Sequence, residues 1–224
     1  MNMHRQWLVS AVLGGLLLSG CTSRVTEEQQ YSGFLPSYEG LQELKSPTGQ
    51  PVLRWVAPGF APDAYSTVVF SGLQFYPAPQ PNERVNLQTL QDLQAYTSAQ
   101  VKSVLEQKYR VVPVIRDARP GKRTLILRAA ITGVTATSEG MRWYEIVPVA
   151  AVVGATEAAT GHRDQNTELF IEAEFIDAAS GLPVLKAVRK VFGETLKNAS
   201  QPVTAEDFKA AIRGMTSDMQ TLLM

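Results

Sequence analysis

Apolar side chains recur every three or four residues in two stretches of the chain, which is the spacing of one face of an α-helix. The first stretch runs from Leu87 to Tyr109, and Asn86 just before it suits the N-cap position. The second begins near Thr204, and Asp207 three residues later resembles the acidic partner of a capping box. The pattern predicts two amphipathic helices, each with one apolar face for a shared core.

Five other stretches show the alternation or the β-branched runs that are typical of strands. They cover residues 65–76, 110–115, 124–137, 169–176 and 183–192. Pro113 marks the second of them as an edge strand or a bulge. The last two are joined by a turn at 177–181 and predict a hairpin. In its first strand the residues predicted to face the core are Leu169, Ile171, Ala173 and Phe175.

The order of these elements predicts the fold class. Strand, helix, strand and strand are followed by a linker and then by strand, strand and helix. This order indicates an α+β fold with a single mixed β-sheet and two main helices packed on one face, a two-layer sandwich. We expect this domain to span residues 64–224.

Two segments precede the predicted domain. Residues 21–30 are polar without an apolar period, which predicts a flexible tether. Residues 31–63 combine repeated proline and glycine with aromatic residues, which disordered linkers usually lack. We therefore expect an extended arm whose rings pack on a folded surface. That surface is either the arm's own domain or a neighbouring protein.

The first 20 residues have the three parts of a secretory signal peptide. Arg5 lies in a short leading region, and an apolar run from residue 7 to residue 18 follows it. The run is too short for a transmembrane helix, which needs about 20 apolar residues. The next four residues, Leu-Ser-Gly-Cys ending at Cys21, resemble the lipobox of bacterial lipoproteins. A plain signal peptide would instead leave the only cysteine of the chain unpaired at the cleavage point.

The lipobox resemblance implies a chemical modification and a location. It implies that a diacylglycerol is attached to Cys21, that the chain is cleaved before it, and that the new amino terminus is acylated, typically with palmitate. Several acyl chains together anchor a protein stably to a membrane. Thr22, rather than aspartate, follows the cysteine. The resemblance therefore implies the outer membrane, with the domain on its periplasmic face.

Composition narrows the classes of function. The chain of 224 residues has 45% hydrophobic residues and a formal net charge of +0, which indicates a globular domain without the basic excess of a nucleic-acid-binding protein. Once the signal peptide is removed, His162 is the only histidine left, and it lies in a polar segment predicted to be an exposed loop. Neither a metal site nor a catalytic triad is indicated. We expect no cofactor and no enzymatic activity.

Glu172 and Glu174 allow two interpretations. Two neighbouring carboxylates can serve acid–base catalysis if one of them is kept neutral by an apolar pocket. Both lie on the same face of a predicted strand, however, and Lys186 is expected opposite one of them. A cross-strand charge pair on a solvated face is the more ordinary arrangement, and it is the one that the sequence predicts.

Residues 146–159 are apolar, small and nearly uncharged. They predict either a buried element of the core or a surface for close packing against another protein or a lipid leaflet. In the second interpretation the interaction surface includes Val149, Val152 and Val153. The rings of the arm would join it, namely Tyr31, Phe34 and Tyr38.

Several short motifs follow the lipobox in a fixed order. They are the octapeptide Tyr31 to Tyr38, then Leu41, the pentapeptide Trp55 to Gly59, the strand from Tyr65, and the segment from Glu172 to Gly181 with its returning strand. With these motifs the chain resembles the bacterial lipoprotein family called domain of unknown function 3313. The resemblance covers most of the mature chain and implies a lipoprotein, but it implies no activity.

Two functions are consistent with these observations. The first is a non-enzymatic protein-interaction or assembly module of the cell envelope, which binds other envelope proteins or a second copy of itself. The alternative is a lipoprotein that carries a small molecule or a lipid, or hydrolyses one, in a cleft between the helices and the arm. A protein that binds a ligand only in its folded state becomes more stable when the ligand is added, and this distinguishes the two.

Overall fold

The structure is a computed structural model, and it describes residues 24–138, 164–198 and 200–223. Several predicted features lie outside these residues. They are the lipidation site Cys21, His162, and the segment 146–159 with Val149, Val152 and Val153.

In the described part of the chain, one mixed sheet of eight strands forms the centre of the fold. The strands are β1 (Gln42–Lys45), β2 (Pro51–Val56), β3 (Thr67–Val69), β4 (Gln74–Phe75), β5 (Arg110–Val112), β6 (Thr124–Ser138), β7 (Gln165–Asp177) and β8 (Pro183–Phe192). Their spatial order is β1-β2-β8-β7-β6-β3-β5, and β4 also pairs with β6. The pairings of β3 and β4 are parallel and the others are antiparallel.

Two helices pack on one face of this sheet, which confirms the predicted α+β class. They are α1 (Leu87–Glu106) and α2 (Lys209–Leu223). As predicted, the Asn86 side chain caps α1 by accepting a hydrogen bond of 2.8 Å from the backbone N–H of Thr89. A 3₁₀ turn at Glu206–Phe208 leads into α2, and the Asp207 carboxylate accepts a hydrogen bond of 2.7 Å from the backbone N–H of Thr204.

The main core lies between the helices and the sheet face that they cover. From α1 it includes Leu90, Leu93 and Leu105, and from α2 it includes Ile212. We call this face of the sheet the inner face. A second, smaller cluster lies on the opposite, outer face, where the arm packs; it contains Phe34, Leu35, Leu53, Ala130 and Val188.

The hairpin and the edge strand agree with the sequence patterns. β7 and β8 form the predicted hairpin, in which Glu174 lies opposite Lys186. β5 lies at the edge of the sheet and ends just before Pro113, which has no N–H to donate to a neighbouring strand. The long strand predicted from residue 124 is β6.

Two predictions about the amino-terminal half need correction. The single strand predicted for 65–76 is interrupted, because Gly72 has a φ of +113° that ends the extended conformation between β3 and β4. The segment 31–63 is more than an extended arm, because it contains β1 and β2. β2 pairs with β8, so this part of the chain completes the main sheet.

The predicted tether also differs from the structure in its last residues. Thr26 is buried and Val25 packs against the outer cluster. A 3₁₀ turn follows at Glu28–Gln30. These residues belong to the packed arm, because the outer face of the sheet offers them an apolar surface.

Candidate functional site

An apolar cavity of about 110 Å³ lies between the inner face of the sheet and α2. Its floor is a row of three alanines, one from each of three neighbouring strands. Ala129 of β6 lies opposite Ala173 of β7, and Ala173 lies opposite Ala187 of β8. Two of them, Ala173 and Ala187, are only partly buried although they lie on interior strands.

Larger side chains flank the alanine row on both sides and make it a trough. On one side Leu127, Phe175 and Leu185 lie in register across the same three strands. On the other side lie Ile171 and Arg189. The trough exists because small side chains share a register with one another and not with their larger neighbours.

The roof of the trough comes from one face of α2. It consists of Met215, Met219 and Leu222, which follow one another at intervals of four and three residues and therefore lie on the same stripe of the helix. Methionine side chains are flexible and polarizable, so they adapt to different shapes. Leu73 and Val101 close the end of the trough that lies towards α1.

The opposite end of the trough has charged side chains. Arg54 of β2 lies opposite Ala187 and so continues the alanine row by one strand. Arg189 forms an ion pair of 2.5 Å with Asp218 of α2. The turn between β1 and β2 borders this end as well, since Ser46 and Pro47 line the cavity. We call this end the mouth.

Asp218 links the three elements that meet at the mouth, namely α2, β8 and the turn between β1 and β2. Its carboxylate accepts hydrogen bonds from the backbone N–H of Thr48 at 2.8 Å and from the Thr48 hydroxyl at 2.9 Å. Burial by itself raises the pKa of Asp218, but the hydrogen bonds from Thr48, Ser46 and Arg189 outweigh it and hold the pKa below its usual value. Asp218 is therefore ionised at neutral pH and balances the charge of Arg189.

The outer face of the sheet is occupied by the arm. Glu172 is only 1% exposed, and its carboxylate accepts hydrogen bonds of 2.6 Å from the Tyr38 hydroxyl and 2.9 Å from the backbone N–H of Ser32. Desolvation and the contact with Glu172 raise the pKa of Tyr38 to about 12. The carboxylate thus serves as an attachment point for the arm.

Glu174 is buried in the same way, which corrects the prediction that both carboxylates are solvated. It forms an ion pair of 2.7 Å with Arg128. Burial raises the pKa of Glu174 although Arg128 and Lys186 act against the shift. Lys186 itself donates to the backbone carbonyls of Ser37 and Glu39 in the arm. The arm covers this charged layer, which is why the strand pattern alone does not reveal its burial.

The three arm rings predicted as part of an interaction surface contact their own domain. Tyr31 and Tyr38 stack with ring centroids 4.2 Å apart, and Phe34 is only 5% exposed. This decides between the two surfaces left open for the arm, because the rings pack on the domain of the same chain. Phe34 is not available to a partner in this structure.

Arg54 and the alanine row were not among the residues predicted for a site. The alanines could not be found because their alignment depends on the register of three strands. Arg54 gave a signal, since it interrupts the apolar run from Val52 to Val56. A polar residue where the pattern requires an apolar one often marks a functional position.

The described residues show neither a cluster of metal ligands nor a helix that could span a membrane. In the ranges 24–138, 164–198 and 200–223 no group of three or more histidine, cysteine, aspartate or glutamate side chains is placed to hold a metal ion. Within the same ranges no helix combines the length and the apolar character needed to cross a membrane.

Comparison with known proteins assigns the chain to a family. The family model described as "Protein of unknown function (DUF3313)" matches residues 30–219. The chain belongs to this family. The matched range contains all eight strands of the sheet and both sides of the cavity mouth.

The relatives agree with the lipobox. The chain is 44% identical over 210 residues to a protein named "Uncharacterized lipoprotein YdcL" from Escherichia coli strain K12, and a protein of the same name from Escherichia coli O157:H7 gives the same figures. The alignment covers 94% of this chain and 92% of each relative. These names support the prediction that the chain is a lipoprotein.

Among solved structures the chain is similar to the PelC dodecamer from Paraburkholderia phytofirmans. The TM-score is 0.35 at 13% sequence identity, and the match covers 75% of this chain and 96% of that chain. Similarity at this level carries no argument about function.

Proposed function

We propose that this protein is a lipid-anchored envelope lipoprotein whose domain binds an apolar ligand, the end of an alkyl chain, in the trough between the sheet and α2. The observation that carries the proposal is the apolar cavity of about 110 Å³. A dry apolar cavity of about 150 Å³ in another protein takes up benzene. A space of the present size therefore fits one chain end rather than a bulky ring system.

The shape of the trough supports a linear ligand. It runs across the strands from Ala129 to Arg54, which is three inter-strand spacings of about 4.8 Å, or roughly 14 Å. The rows of larger side chains on either side leave it one chain wide. The proposal is one of binding and not of catalysis.

Of the two functions considered from the sequence, the apolar trough favours the carrier over the protein-interaction module. The trough lies between the helices and the sheet, whereas the cleft considered from the sequence lay between the helices and the arm. Phe34 is buried in its own domain, whereas a partner surface that includes Tyr31 and Tyr38 stays a prediction. Association with envelope proteins or self-association through Val149, Val152 and Val153 stays a prediction.

For the location, we propose the periplasmic face of the outer membrane, with the anchor on Cys21. Support comes from the lipobox, from the lipoprotein names of the relatives and from Thr22 after the cysteine. A carrier that is anchored beside a bilayer has direct access to alkyl-chain compounds. Fractionating the two membranes and probing each for the acylated protein tests this location.

The experiment is a thermal unfolding measurement on the lipidated protein in phosphatidylcholine nanodiscs, with and without dodecanol. Binding to the folded state alone adds about 2.7 kcal/mol to the free energy of unfolding when the ligand concentration is a hundred times the dissociation constant. The unfolding midpoint should therefore rise with dodecanol concentration. Ala173→Leu should abolish the rise, because the added side chain fills the trough.

Ala210→Leu is the matched control, since Ala210 is exposed on α2 and does not line the cavity. It adds the same atoms outside the trough and should respond to dodecanol as the unchanged protein does. Ala187→Val is a milder filling variant in case Ala173→Leu folds poorly. A midpoint that does not change with dodecanol, or that changes equally in all variants, contradicts the proposal.

A further inference from the structure

Arg54 is the one residue of the alanine row that carries a charge. Along β2 the side chains alternate between the two faces of the sheet. Leu53 belongs to the outer cluster, and the centroid of the Trp55 ring lies 4.9 Å from the Nζ atom of Lys186. Both side chains are therefore on the face that the arm covers. Arg54 therefore projects to the inner face, where it lines the cavity at its mouth.

Arg54 has no counter-charge in the parts of the chain that the structure describes. Its Nε atom is buried without a hydrogen-bond partner, and none of the ion pairs between described residues includes it. A buried N–H without an acceptor is unfavourable, and such groups in native proteins usually have an acceptor. Among the described residues, the chain supplies this donor without an acceptor for it.

The charges at the mouth do not cancel. Arg189 is paired with Asp218, and that carboxylate also accepts both hydrogen bonds from Thr48. No ion pair between described residues joins Asp218 to Arg54. The three ionised groups that line this end of the cavity sum to one positive charge, so a single anion completes the site.

We propose that the mouth of the trough is an anion subsite and that the ligand is a single-chain amphiphile with an anionic head group, either a carboxylate or a phosphate. Arg54 binds the head group while the alkyl chain lies along Ala187, Ala173 and Ala129. This inference rests on the proposed function and names the class of ligand. A guanidinium suits both head groups, because it donates two parallel hydrogen bonds to carboxylate or phosphate oxygens.

The distribution of charged and apolar side chains along the trough matches such a ligand. Charge is confined to one end of the trough, and the floor and roof beyond it are made of alanine, leucine and methionine side chains. A neutral alkane would leave Arg54 unpaired, and a small anion would leave the trough empty. Only a molecule with one polar end and one chain satisfies both parts of the cavity.

The experiment measures the affinity of the lipidated protein in phosphatidylcholine nanodiscs for three ligands of equal chain length. They are dodecanol, dodecanoate and dodecyl phosphate, each titrated calorimetrically below its micelle concentration, with the heat of empty nanodiscs subtracted. We expect the preferred anion to bind about tenfold or more tightly than dodecanol, which is the range for a hydrogen bond to a charged group. Preference between the two anions identifies which head group the site takes.

Arg54→Gln is the deciding variant. It should remove the tenfold advantage of the anion over dodecanol, because glutamine keeps a hydrogen-bond donor at the mouth but carries no charge. Arg54→Lys keeps the positive charge without the planar fork and should retain part of the advantage. Arg116→Gln is the matched control, because the Arg116 side chain is 86% exposed on a turn outside the cavity, and it should bind all three ligands like the unchanged protein.

The outcomes separate this inference from the proposed function. If dodecanol and both anions bind equally and Arg54→Gln changes none of the affinities, the anion subsite is refuted while the apolar site remains. If none of the three binds, the proposed function itself fails. Should Arg54→Gln fold poorly, added salt gives a second measurement on the unchanged protein. Salt should weaken binding of the anions and not that of dodecanol.

Discussion

Asp177 holds the turn between β7 and β8 through its carboxylate. The carboxylate accepts hydrogen bonds from the Arg123 guanidinium and the Tyr65 hydroxyl, both at 2.7 Å, and from the backbone N–H groups of Ala179 and Ser180. The bond from Arg123 is the main reason that the pKa of Asp177 lies well below its usual value, followed by the bond from Tyr65.

The pKa of Asp177 predicts how stability depends on pH. Because the pKa is lower in the folded than in the unfolded state, Asp177 stabilises the fold above the unfolded value of 3.8, and this contribution is lost as the pH falls through the folded value. Asp177→Asn should therefore be less stable at neutral pH and should lose less stability on acidification. Urea unfolding between neutral pH and about pH 3 measures this.

Asp117→Asn is the control for acidification. Asp117 is half-exposed and lies 3.9 Å from an exposed arginine, a contact that contributes little. Its pH profile should match that of the unchanged protein. Parallel profiles for the Asp177→Asn variant and the unchanged protein would show that Asp177 does not hold the turn through its charge.

Tyr38 holds the arm on the outer face of the sheet, and its contribution to stability can be measured. Its hydroxyl donates to the buried carboxylate of Glu172, and its ring stacks on Tyr31. Tyr38→Phe keeps the ring and removes the donor, so we expect the free energy of unfolding to fall by about 1–3 kcal/mol. Tyr76→Phe, at a ring that also contacts the arm, is the control. If urea unfolding shows that Tyr38→Phe and Tyr76→Phe lower the free energy of unfolding equally, the buried hydrogen bond does not have this role.

At the scale of elements, Gly193 permits the close approach of β8 to the start of α2. A Cβ atom at this position would lie 2.6 Å from the backbone carbonyl oxygen of Asp207 and would also clash with the hydroxyl of Thr167. Because a backbone atom cannot move away as a side-chain end can, Gly193→Ala should destabilise the protein by about 1–3 kcal/mol, the usual range for overpacking.

Gly214→Ala is the matched substitution with the opposite expected sign. Gly214 lies inside α2, and its Cβ would meet no atom within 4 Å. Alanine is the better helix former by about 1 kcal/mol, so this variant should be at least as stable as the unchanged protein. Thermal unfolding of both variants compares them, and a loss of stability in both would contradict the packing described at Gly193.

The elements that the sequence predicted well are those with a strong local period. α1, α2 and the hairpin of β7 and β8 each carry their own pattern of apolar residues, so their positions follow from the sequence. β1 and β2 do not. All four residues of β1 are exposed, and β2 is fixed by its pairing with β8, which lies far away along the chain. No local pattern records such a pairing.

At the scale of the whole molecule, the two faces of the sheet have different roles. The inner face packs against the helices and contains the trough, whereas the outer face carries buried charges that bind the arm. The alternation of β7 predicted that Glu172 and Glu174 would point away from the core, which is correct. It could not predict their burial, because the arm that covers them comes from a distant part of the chain.

The candidate site could not be predicted from the sequence for the same reason, because it depends on contacts between distant parts of the chain. Ala129, Ala173 and Ala187 are ordinary residues of three strands, and they form a trough only because the register places them side by side. Lipidation of Cys21 stays a prediction, and it can be made from the sequence alone because the lipobox motif is contiguous. A cavity that depends on the register of several strands requires the structure.

The most direct test of an alkyl chain in the trough is an NMR titration of the lipidated protein with its methionine methyl groups labelled with ¹³C. The signals of Met215 and Met219, assigned with leucine variants, report on the roof of the cavity. We predict that both shift and saturate as dodecanol is added, and that Ala173→Leu abolishes the saturable shift. Signals of Met215 and Met219 that do not respond to the ligand, or that respond equally in the filled variant, would contradict the account.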